Sequence, residues 1–168
     1  MSEKHYTLSQ LGWKAHFNQQ LSFEELEKTV PYRITQVFRN RLVLLSENGE
    51  LDLDLSRYPK MPECTVGDWV LIANEPANTP IRLDRLSLFQ RKSPATNSTQ
   101  LMAANVDTAF IVSSCNHDFN LSRIERYLAL AKEAEVEAVL VLTKADRVSD
   151  EQLQSYHQQL QQLQSHLL

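Results

Sequence analysis

Residues 136–146 read VEAVLVLTKAD, a nearly continuous apolar run that ends in a short polar turn. A second apolar run, VDTAFIVS, occupies residues 106–113. Between the two runs, apolar side chains recur at the spacing of one helix face, at Leu121, Ile124, Leu128 and Ala131. Asn120 stands where it would cap that helix. Strand, helix and strand in this order, with apolar strands, predict a βαβ unit built on a parallel sheet.

The polar turn, Thr143-Lys144-Ala145-Asp146, has the [NT]-K-x-D pattern of a guanine-recognition element. Guanine presents its N1–H and its 2-amino group side by side, and one carboxylate can accept from both. Adenine lacks this pair of donors and would leave the carboxylate unpaired, which makes the discrimination strong. Since ligands of α/β proteins bind at the carboxyl ends of parallel strands, the pattern predicts a guanine site. The alternative is an ordinary strand-to-helix loop with a surface lysine.

The chain has only three glycines, Gly12, Gly49 and Gly67. A phosphate-cradling loop needs several glycines close together, because its backbone N–H groups must approach the phosphates without a Cβ in the way. The sequence therefore contains no Walker-type phosphate site. Ordinary GTPases place that loop before the guanine element. Either the four-residue match is accidental, or the domain is circularly permuted and its phosphate loop lies beyond Leu168.

Residues 30–92 have a different sequence pattern, in which short β segments are separated by turns. The segments are predicted at residues 32–38, 41–45, 51–55, 66–72 and 81–89. Asn48 and Gly49 favour a tight hairpin turn between the second and third segments. Five short strands in this span fit a small Greek-key barrel of OB type, and an SH3-like barrel fits almost as well.

Polar segments flank this barrel. Residues 7–28 are predicted to be helical, so that residues 1–29 form an N-terminal helical extension. The polar stretch 93–104 is predicted to be a linker, and residues 105–168 to be the first part of the α/β domain. The last helix follows Ser149, and an apolar stripe on it is predicted to dock on the sheet, at Leu153, Tyr156, Leu160, Leu163 and Leu167.

The charge distribution indicates where a nucleic-acid surface would lie. The formal net charge of −4 argues against nucleic-acid binding over most of the surface, and only residues 30–95 are not net acidic. OB folds combine basic contacts to the phosphate backbone with aromatic stacking. The candidates for RNA contact are Arg33, Arg39, Arg41, Arg57, Lys60, Arg91 and Lys92, together with Arg82 and Arg85, and with Tyr32, Phe38 and Tyr58 as stacking groups. The alternative is a plain solvated surface, with the aromatic residues in the core as predicted for Trp69.

Several other classes of protein are disfavoured. No apolar run approaches the roughly 18 residues that span a bilayer, and the N-terminus has no apolar signal core. Cys64 and Cys115 are therefore predicted to be reduced thiols in a cytoplasmic protein. The five histidines lack metal-ligand spacing, so we predict no metal site, and we identify no catalytic residue in this chain.

Several short motifs, taken in order along the chain, resemble one family. They are Leu11-Gly12-Trp13, Val66-Gly67-Asp68-Trp69-Val70, Arg91-Lys92-Ser93, Ala103-Ala104-Asn105-Val106-Asp107, Asp118-Phe119-Asn120-Leu121 and Arg123-Ile124-Glu125-Arg126-Tyr127-Leu128. Together with the guanine element, they resemble the ribosome small-subunit biogenesis GTPase family (RsgA, also called YjeQ or EngC). The resemblance runs from about residue 11 to residue 148.

This resemblance implies an OB-fold domain, a circularly permuted GTPase domain and a C-terminal zinc-binding domain. For the complete protein it implies GTP with Mg²⁺ and one structural Zn²⁺ as cofactors. It implies the small ribosomal subunit and its rRNA as partners, and we expect a monomer that does not bind membranes. The family's guanine element falls on Thr143, Lys144, Ala145 and Asp146, with Thr143 in place of the usual Asn.

The family's phosphate loop, switch elements and zinc ligands have no counterpart in these residues. We therefore expect a fragment of a longer chain, inert as a catalyst and without bound cofactors when alone. The complete protein would be a GTPase of late small-subunit maturation. The alternative is a stand-alone RNA- or protein-binding OB module with a vestigial α/β tail.

Overall fold

The computed structural model describes residues 5–74, 79–92 and 98–167, with the side chains of the last helix described to residue 163. The backbone forms two units, Met1–Asn105 and Val106–Leu168. Each unit has its own hydrophobic core. Among the described helices, none is both long enough and apolar enough to cross a bilayer.

The first unit is built on a five-stranded antiparallel sheet. Its strands are β1 (Thr29–Val37), β2 (Arg41–Ser46), β3 (Gly49–Asp54), β4 (Trp69–Ala73) and β5 (Ile81–Arg82). The spatial order β3-β2-β1-β4-β5 contains a Greek key, in which the fourth strand returns to lie beside the first. The predicted five-stranded antiparallel sheet is confirmed, and the order of its strands fits the OB type.

Alternating side chains explain which face of the sheet is buried. In β3, Leu53 is buried whereas Asp52 and Asp54 are exposed. A register shift between Ile34 and Gln36 marks a β-bulge in β1, and bulges bend the strand that carries them. The inner face forms a core cluster of Ile34, Leu42, Leu44, Leu53 and Val70.

The N-terminal segment differs from the predicted helix over residues 7–28. It forms two short helices, α1 (Ala15–Asn18) and α2 (Phe23–Lys28). Gly12 takes a φ of +87°, which interrupts a right-handed helix, and Ser22 starts α2 through a capping box. Of the apolar residues that suggested one helix, Leu11 lies in a core cluster with Phe17, Trp69, Leu71 and Leu83, and Leu8 and Leu21 pack against that cluster.

A two-stranded antiparallel hairpin completes the first unit. Its strands are β6 (Leu88–Lys92) and β7 (Thr99–Ala104). The structure therefore differs from the predicted linker over residues 93–104, of which residues 93–97 lie outside the described residues. The predicted fifth strand over 81–89 is also divided between β5 and β6. Strand β7 was missed because it begins with the polar, exposed residues Thr99 and Gln100 and follows a polar stretch, which gives the segment the composition of a loop.

The turn before β4 brings three segments of main chain together. The N–H of Gly67 donates to the carbonyl of Ile34 at 2.8 Å, and the N–H of Ala104 donates to the carbonyl of Val66 at 2.8 Å. Gly67 has a φ of +90°, and a Cβ built on it would lie 2.1 Å from the carbonyl oxygen of Ala104. Any other residue at position 67 would therefore force β7 away from the barrel.

Asp68 places a carboxylate in the interior beside this turn. Its side chain is fully buried and that of Arg85 is 14% exposed. Arg85 donates from Nε to Oδ1 at 2.6 Å and from Nη2 to Oδ2 at 2.7 Å, and the N–H of Thr65 donates to Oδ2 at 2.8 Å. The hydrogen bonds to Asp68 raise the pKa of Arg85 above its ordinary value. The buried charge is thus paired, and both carboxylate oxygens accept hydrogen bonds.

The second unit is the predicted βαβ arrangement followed by a helix. Its elements are β8 (Thr108–Ser114), α3 (Leu121–Glu133), β9 (Glu137–Thr143) and α4 (Asp150–Leu167). β8 and β9 are parallel, as predicted. Asn120 caps α3 by accepting from the N–H of Arg123 at 2.9 Å, and Ser149 Oγ accepts from the N–H of Gln152 at 3.3 Å at the start of α4.

The helices cover one face of this parallel sheet. Leu160 and Leu163 of α4 pack with Ile111 and Ile124, and the ring of Tyr156 lies 4.3 Å from that of Phe119. The predicted docking of the apolar stripe is therefore observed, and its last member, Leu167, has a side chain outside the described part. Two residues of β8 remain on the surface, Phe110 at 68% and Val112 at 62% exposure.

We predict that Asp68→Asn lowers the free energy of unfolding by about 3–5 kcal/mol, because breaking a buried pair leaves the charge of Arg85 uncompensated. Urea unfolding followed by tryptophan fluorescence measures the change. The matched control is Asp52→Asn. Asp52 pairs with Arg41 at 3.4 Å with both side chains more than half exposed, and such surface pairs contribute about 0–1 kcal/mol. Equal losses in the two variants would contradict the role of Asp68.

Candidate functional site

The predicted guanine element lies where two parallel strands end. Thr143 is the last residue of β9 and pairs in register with Ser114, the last residue of β8. The N–H of Cys115 donates to the carbonyl of Thr143 at 2.9 Å, so the loop after β8 is held against the element. The carboxyl edge of a parallel sheet is where α/β proteins bind their ligands. The element therefore has the position that the sequence analysis expected.

Lys144 turns the chain sharply as it leaves the strand. Its φ of 58° and ψ of 32° are left-handed, a conformation that costs a residue with a Cβ roughly 1–2 kcal/mol. A 3₁₀ turn, Ala145–Arg147, follows directly, and the N–H of Arg147 donates to the carbonyl of Lys144 at 3.0 Å. Asp146 is thereby fixed in a single tight turn at the end of the strand.

The side chains of Lys144 and Asp146 are both exposed. Across the part of the chain that the structure describes, the carboxylate of Asp146 takes part in no hydrogen bond or ion pair. A carboxylate offers two acceptor oxygens, and guanine needs two adjacent acceptors for its N1–H and 2-amino group. The apolar stem of Lys144 can lie along a flat base. These residues fit a guanine base.

Thr143 is held differently from its two neighbours. Its side chain is half-buried, and its Oγ1 lies 3.4 Å from the carbonyl oxygen of Ser113, to which it donates. Ser113 was not among the residues predicted from the sequence. A main-chain acceptor leaves no signal in a side-chain pattern, and only the register of the two strands identifies it.

One cavity at the guanine element, of about 570 Å³, includes Ala145 in its lining, beside Leu142 of β9 and Leu153 of α4. A second cavity, of about 300 Å³, lies beside the end of β8, where its lining includes Ser114, Asp118 and Arg123. Asn116 fixes this loop, because its Oδ1 accepts from Ser114 Oγ at 2.8 Å and from the N–H of Asp118 at 2.9 Å. None of residues 143–146 lines this second cavity, and the side chains of Lys144 and Asp146 are exposed to solvent.

A second candidate surface lies at the tip of the β1–β2 hairpin in the first unit. Phe38 is 44% exposed, and the guanidinium carbon of Arg41 lies 4.5 Å from the centre of its ring. Arg39, between them in sequence, is also exposed. The N–H of Leu55 donates to the carbonyl of Asn40 at 2.9 Å. This bond brings the 3₁₀ turn Leu55–Arg57 beside the loop.

Arg57 is exposed in that turn, and we call Phe38, Arg39, Arg41 and Arg57 the hairpin-tip surface. It combines three cations with an exposed aromatic ring, which is the composition of a single-strand RNA contact. The other exposed candidates are Lys60, which follows the turn, and Arg91 and Lys92 on β6.

Five of the sequence-predicted RNA candidates are engaged within the fold. Arg33 donates to the carbonyl of Leu11 and, at 3.1 Å, to that of Asn105. Arg85 is paired with buried Asp68. Three others are half-buried: Arg82, Tyr32 and Tyr58. The two tyrosines pack against the inner core cluster. Sequence could not separate these side chains from the exposed ones, because their partners, such as the carbonyls of Leu11 and Asn105 for Arg33, lie far away along the chain.

Cysteine chemistry and metal binding have no support in the described residues. Burial raises the pKa of Cys64 to about 11, so its thiol is protonated at neutral pH and unreactive. Cys115 is fully buried. Among the described residues, no three histidine, cysteine or acidic side chains lie close enough to hold a metal ion. The Zn²⁺ implied by the family resemblance is therefore not assigned to any of the described residues.

Comparison with known proteins gives close relatives. The small ribosomal subunit biogenesis GTPase RsgA 2 of Vibrio parahaemolyticus is 49% identical over 158 residues, which are 93% of this chain and 43% of that protein. The small ribosomal subunit biogenesis GTPase RsgA of Mesorhizobium japonicum is 43% identical over 161 residues, which are 96% of this chain and 46% of that protein. The chain thus spans less than half the length of these relatives.

Two solved structures share the fold. YjeQ from Thermotoga maritima matches with a TM-score of 0.55 and 18% identity, and YloQ, a circularly permuted GTPase, matches with a TM-score of 0.52 and 18% identity. Each match covers 77% of this chain and 46% of the other. The RsgA GTPase family model matches residues 82–168, slightly more than half of the chain and including the whole guanine element. The protein to which this chain belongs is therefore a member of the RsgA GTPase family.

Proposed function

We propose that this chain supplies the RNA-binding barrel and the guanine-recognition part of a cytoplasmic GTPase that acts in maturation of the small ribosomal subunit. The names of its relatives support this role, since they are small ribosomal subunit biogenesis GTPases. Because the chain spans less than half of their length, the activity is proposed for the complete protein.

The observation that carries the proposal is the exposed carboxylate of Asp146 at the carboxyl edge of a parallel sheet, where it has no partner among the described residues. In the complete protein it accepts the N1–H and the 2-amino group of guanine, and the stem of Lys144 covers one face of the base. Thr143 joins this turn to β8. A nucleotide base without the two adjacent donors leaves the carboxylate of Asp146 without hydrogen-bond partners. This cost is the basis of the specificity for guanine.

The phosphates of GTP must be held by other residues of the complete protein. Gly12, Gly49 and Gly67 are scattered over the first unit, whereas a phosphate loop needs glycines close together. We propose that the contacts to the phosphates and to Mg²⁺, and the structural Zn²⁺ implied by the family, belong to the remainder of the protein.

The hairpin-tip surface is the RNA contact that we propose for the barrel. In OB folds, the loop between the first two strands is one of the sites that bind oligonucleotides. Arg39 and Arg57 can reach phosphates, and the ring of Phe38 offers a stacking face that Arg41 already covers in part. The small ribosomal subunit presents rRNA to such a surface, and the complete protein is proposed to bind it as a monomer.

We expect Asp146→Asn in the full-length protein to lower the affinity for GTP and raise that for xanthosine triphosphate. The amide NH₂ faces a donor on guanine, but xanthine has a carbonyl at that position. A lost hydrogen bond to a charged group costs about 1.5–3 kcal/mol, which is about one to two orders of magnitude in affinity. Titration calorimetry gives the dissociation constants for GTP and for xanthosine triphosphate, and so measures both changes in affinity. The control is Asp150→Asn, because Asp150 is also an exposed carboxylate and lies at the start of α4. If the Asp146→Asn variant binds GTP as tightly as the parent does, the guanine site is refuted.

We expect the 168-residue chain alone to show no GTP binding in calorimetric titrations up to low micromolar concentrations. The phosphates supply much of the binding energy of a nucleotide, and the loop that holds them is absent from this sequence. Circular dichroism of the same sample establishes that the chain is folded. Saturable micromolar binding would show instead that these residues contain a phosphate site.

We expect Arg39→Glu with Arg41→Glu to reduce co-sedimentation of the full-length protein with small ribosomal subunits. Fewer phosphate contacts release fewer counterions, so the binding of the variant also depends less steeply on salt. The control is Lys14→Glu with Lys28→Glu, which makes the same change in charge. Lys28 precedes β1, at the opposite end of that strand from Phe38. Equal co-sedimentation of the two variants would contradict a contact at the hairpin tip.

A further inference from the structure

The turn between β2 and β3 places an asparagine directly before a glycine. Glu47 and Asn48 form the tip of this hairpin, and Ser46 pairs with Gly49 across its base. An asparagine followed by glycine is chemically labile, because the main-chain nitrogen of the glycine can attack the side-chain amide of the asparagine. Since glycine has no Cβ, nothing on its own side chain hinders that approach.

The structure leaves the amide of Asn48 free to react. Its side chain is exposed. The main-chain N–H of Asn48 donates to the Oγ of Ser46 at 3.0 Å, whereas the side-chain amide takes part in no hydrogen bond with the described residues. In the described part of the chain, a Cβ built on Gly49 would meet no atom within 4 Å beyond its chain neighbours. The amide can therefore rotate, and there is room for a ring to form.

The reaction needs only water and hydroxide. The nitrogen of Gly49 loses its proton to hydroxide and forms a bond to Cγ of Asn48. The C–N bond of the side-chain amide breaks, and ammonia leaves with a proton taken from water, which regenerates hydroxide. The product is a five-membered succinimide ring. Water then adds to one of the two ring carbonyls, and the bond from that carbon to nitrogen breaks. One ring opening gives aspartate, and the other gives isoaspartate, in which the main chain runs through Cβ and Cγ.

The same turn holds the N-terminal segment in place. The Oε1 of Glu47 accepts from the N–H of Leu8, 39 residues earlier in the chain, at 2.8 Å. Leu8 and Leu45 of β2 both pack against the core cluster that contains Leu11. The β2–β3 hairpin therefore supports the segment that precedes α1.

Isoaspartate at position 48 does not fit this turn. It adds one carbon to the main chain of a turn whose length fixes the pairing of Ser46 with Gly49. The new carboxylate also lies close to Glu47 and Glu50, which are exposed. Repulsion between solvent-exposed charges is weak because water and salt screen it. The longer main chain is therefore the larger effect, and it moves Glu47 away from Leu8.

We propose that Asn48 is a site of spontaneous deamidation, and that the isoaspartate formed there lengthens the turn and releases the N-terminal segment from the β2–β3 hairpin. The modification accumulates with the age of the molecule and needs no enzyme. It is independent of the guanine site and of the hairpin-tip surface.

The first test follows the chemistry in the full-length protein during incubation at mildly alkaline and mildly acidic pH. Peptide mapping by mass spectrometry measures the conversion of each asparagine. The internal control is Asn40, which is also exposed in a hairpin turn but precedes Arg41, whose side chain hinders ring closure. Asn48 is expected to convert several times faster than Asn40, and faster at the alkaline pH because the nitrogen of Gly49 must lose a proton. If Asn48 converts no faster than Asn40, the modification site is overturned.

The second test measures release of the N-terminal segment by limited digestion with trypsin, which cuts after the exposed Lys14. Aged parent protein is expected to be cut there several times faster than fresh parent. Asn48→Gln is the matched control, because its side chain would have to close a six-membered ring, which forms slowly. Its rate of cleavage is expected to stay the same on ageing. Fresh Asn48→Glu carries the added charge without the longer main chain, and it is expected to be cut nearly as slowly as fresh parent.

Three results of the digestion would overturn the release. Equal cleavage of aged and fresh parent would show that the modified turn still holds Leu8. An equal increase on ageing in the Asn48→Gln variant would place the cause at another residue. Cleavage of fresh Asn48→Glu as fast as that of aged parent would make the added charge the cause, and not the longer main chain.

Discussion

The close approach of two main-chain segments at Gly67 is the constraint on which the first unit depends. Strand β7 passes so near this residue that a Cβ would lie 2.1 Å from the carbonyl oxygen of Ala104. The turn that makes the approach possible also places the carboxylate of Asp68 in the interior, where Arg85 must neutralise it. Asn105 spans the same junction, because it donates to the carbonyl of Gly67 and accepts from the N–H of Leu86. The close packing of β7, the buried ion pair of Asp68 and the hydrogen bonds of Asn105 therefore all depend on this one turn.

The elements with strong periodicity could be predicted from the sequence, and those without it could not. The parallel strands are nearly continuous apolar runs and α3 is apolar at helical spacing, so their order predicted the βαβ unit. The N-terminal segment was predicted wrongly, because Leu8, Leu11 and Ala15 have helical spacing but Gly12, which lies between them, has a positive φ that interrupts the helix. Strand β7 could not be predicted from the sequence, because its pairing with β6, and not its own composition, makes it a strand.

The candidate site shows the same division. Asp146 and Lys144 could be predicted, because their chemistry lies in side chains at fixed spacing. The role of Thr143 could not, since it depends on the carbonyl of Ser113 thirty residues earlier in the chain. Among the basic residues, Arg33 and Arg39 look alike in sequence, yet one donates to two main-chain carbonyls and the other is exposed. The burial of an arginine side chain depends on the folded sheet around it and cannot be deduced from the residue type alone.

The exposed side chains of β8 bear on the colloidal behaviour of the second unit. Parallel sheets are normally covered on both faces, and here the helices cover one face while Phe110 and Val112 stay in contact with water. In the described residues, β8 and β9 each pair on one side only, which leaves hydrogen-bonding groups along two strand edges. Apolar faces and open edges promote association between molecules. As an isolated unit, residues 106–168 should therefore self-associate as concentration rises, and excluded salts such as sulfate should strengthen that association.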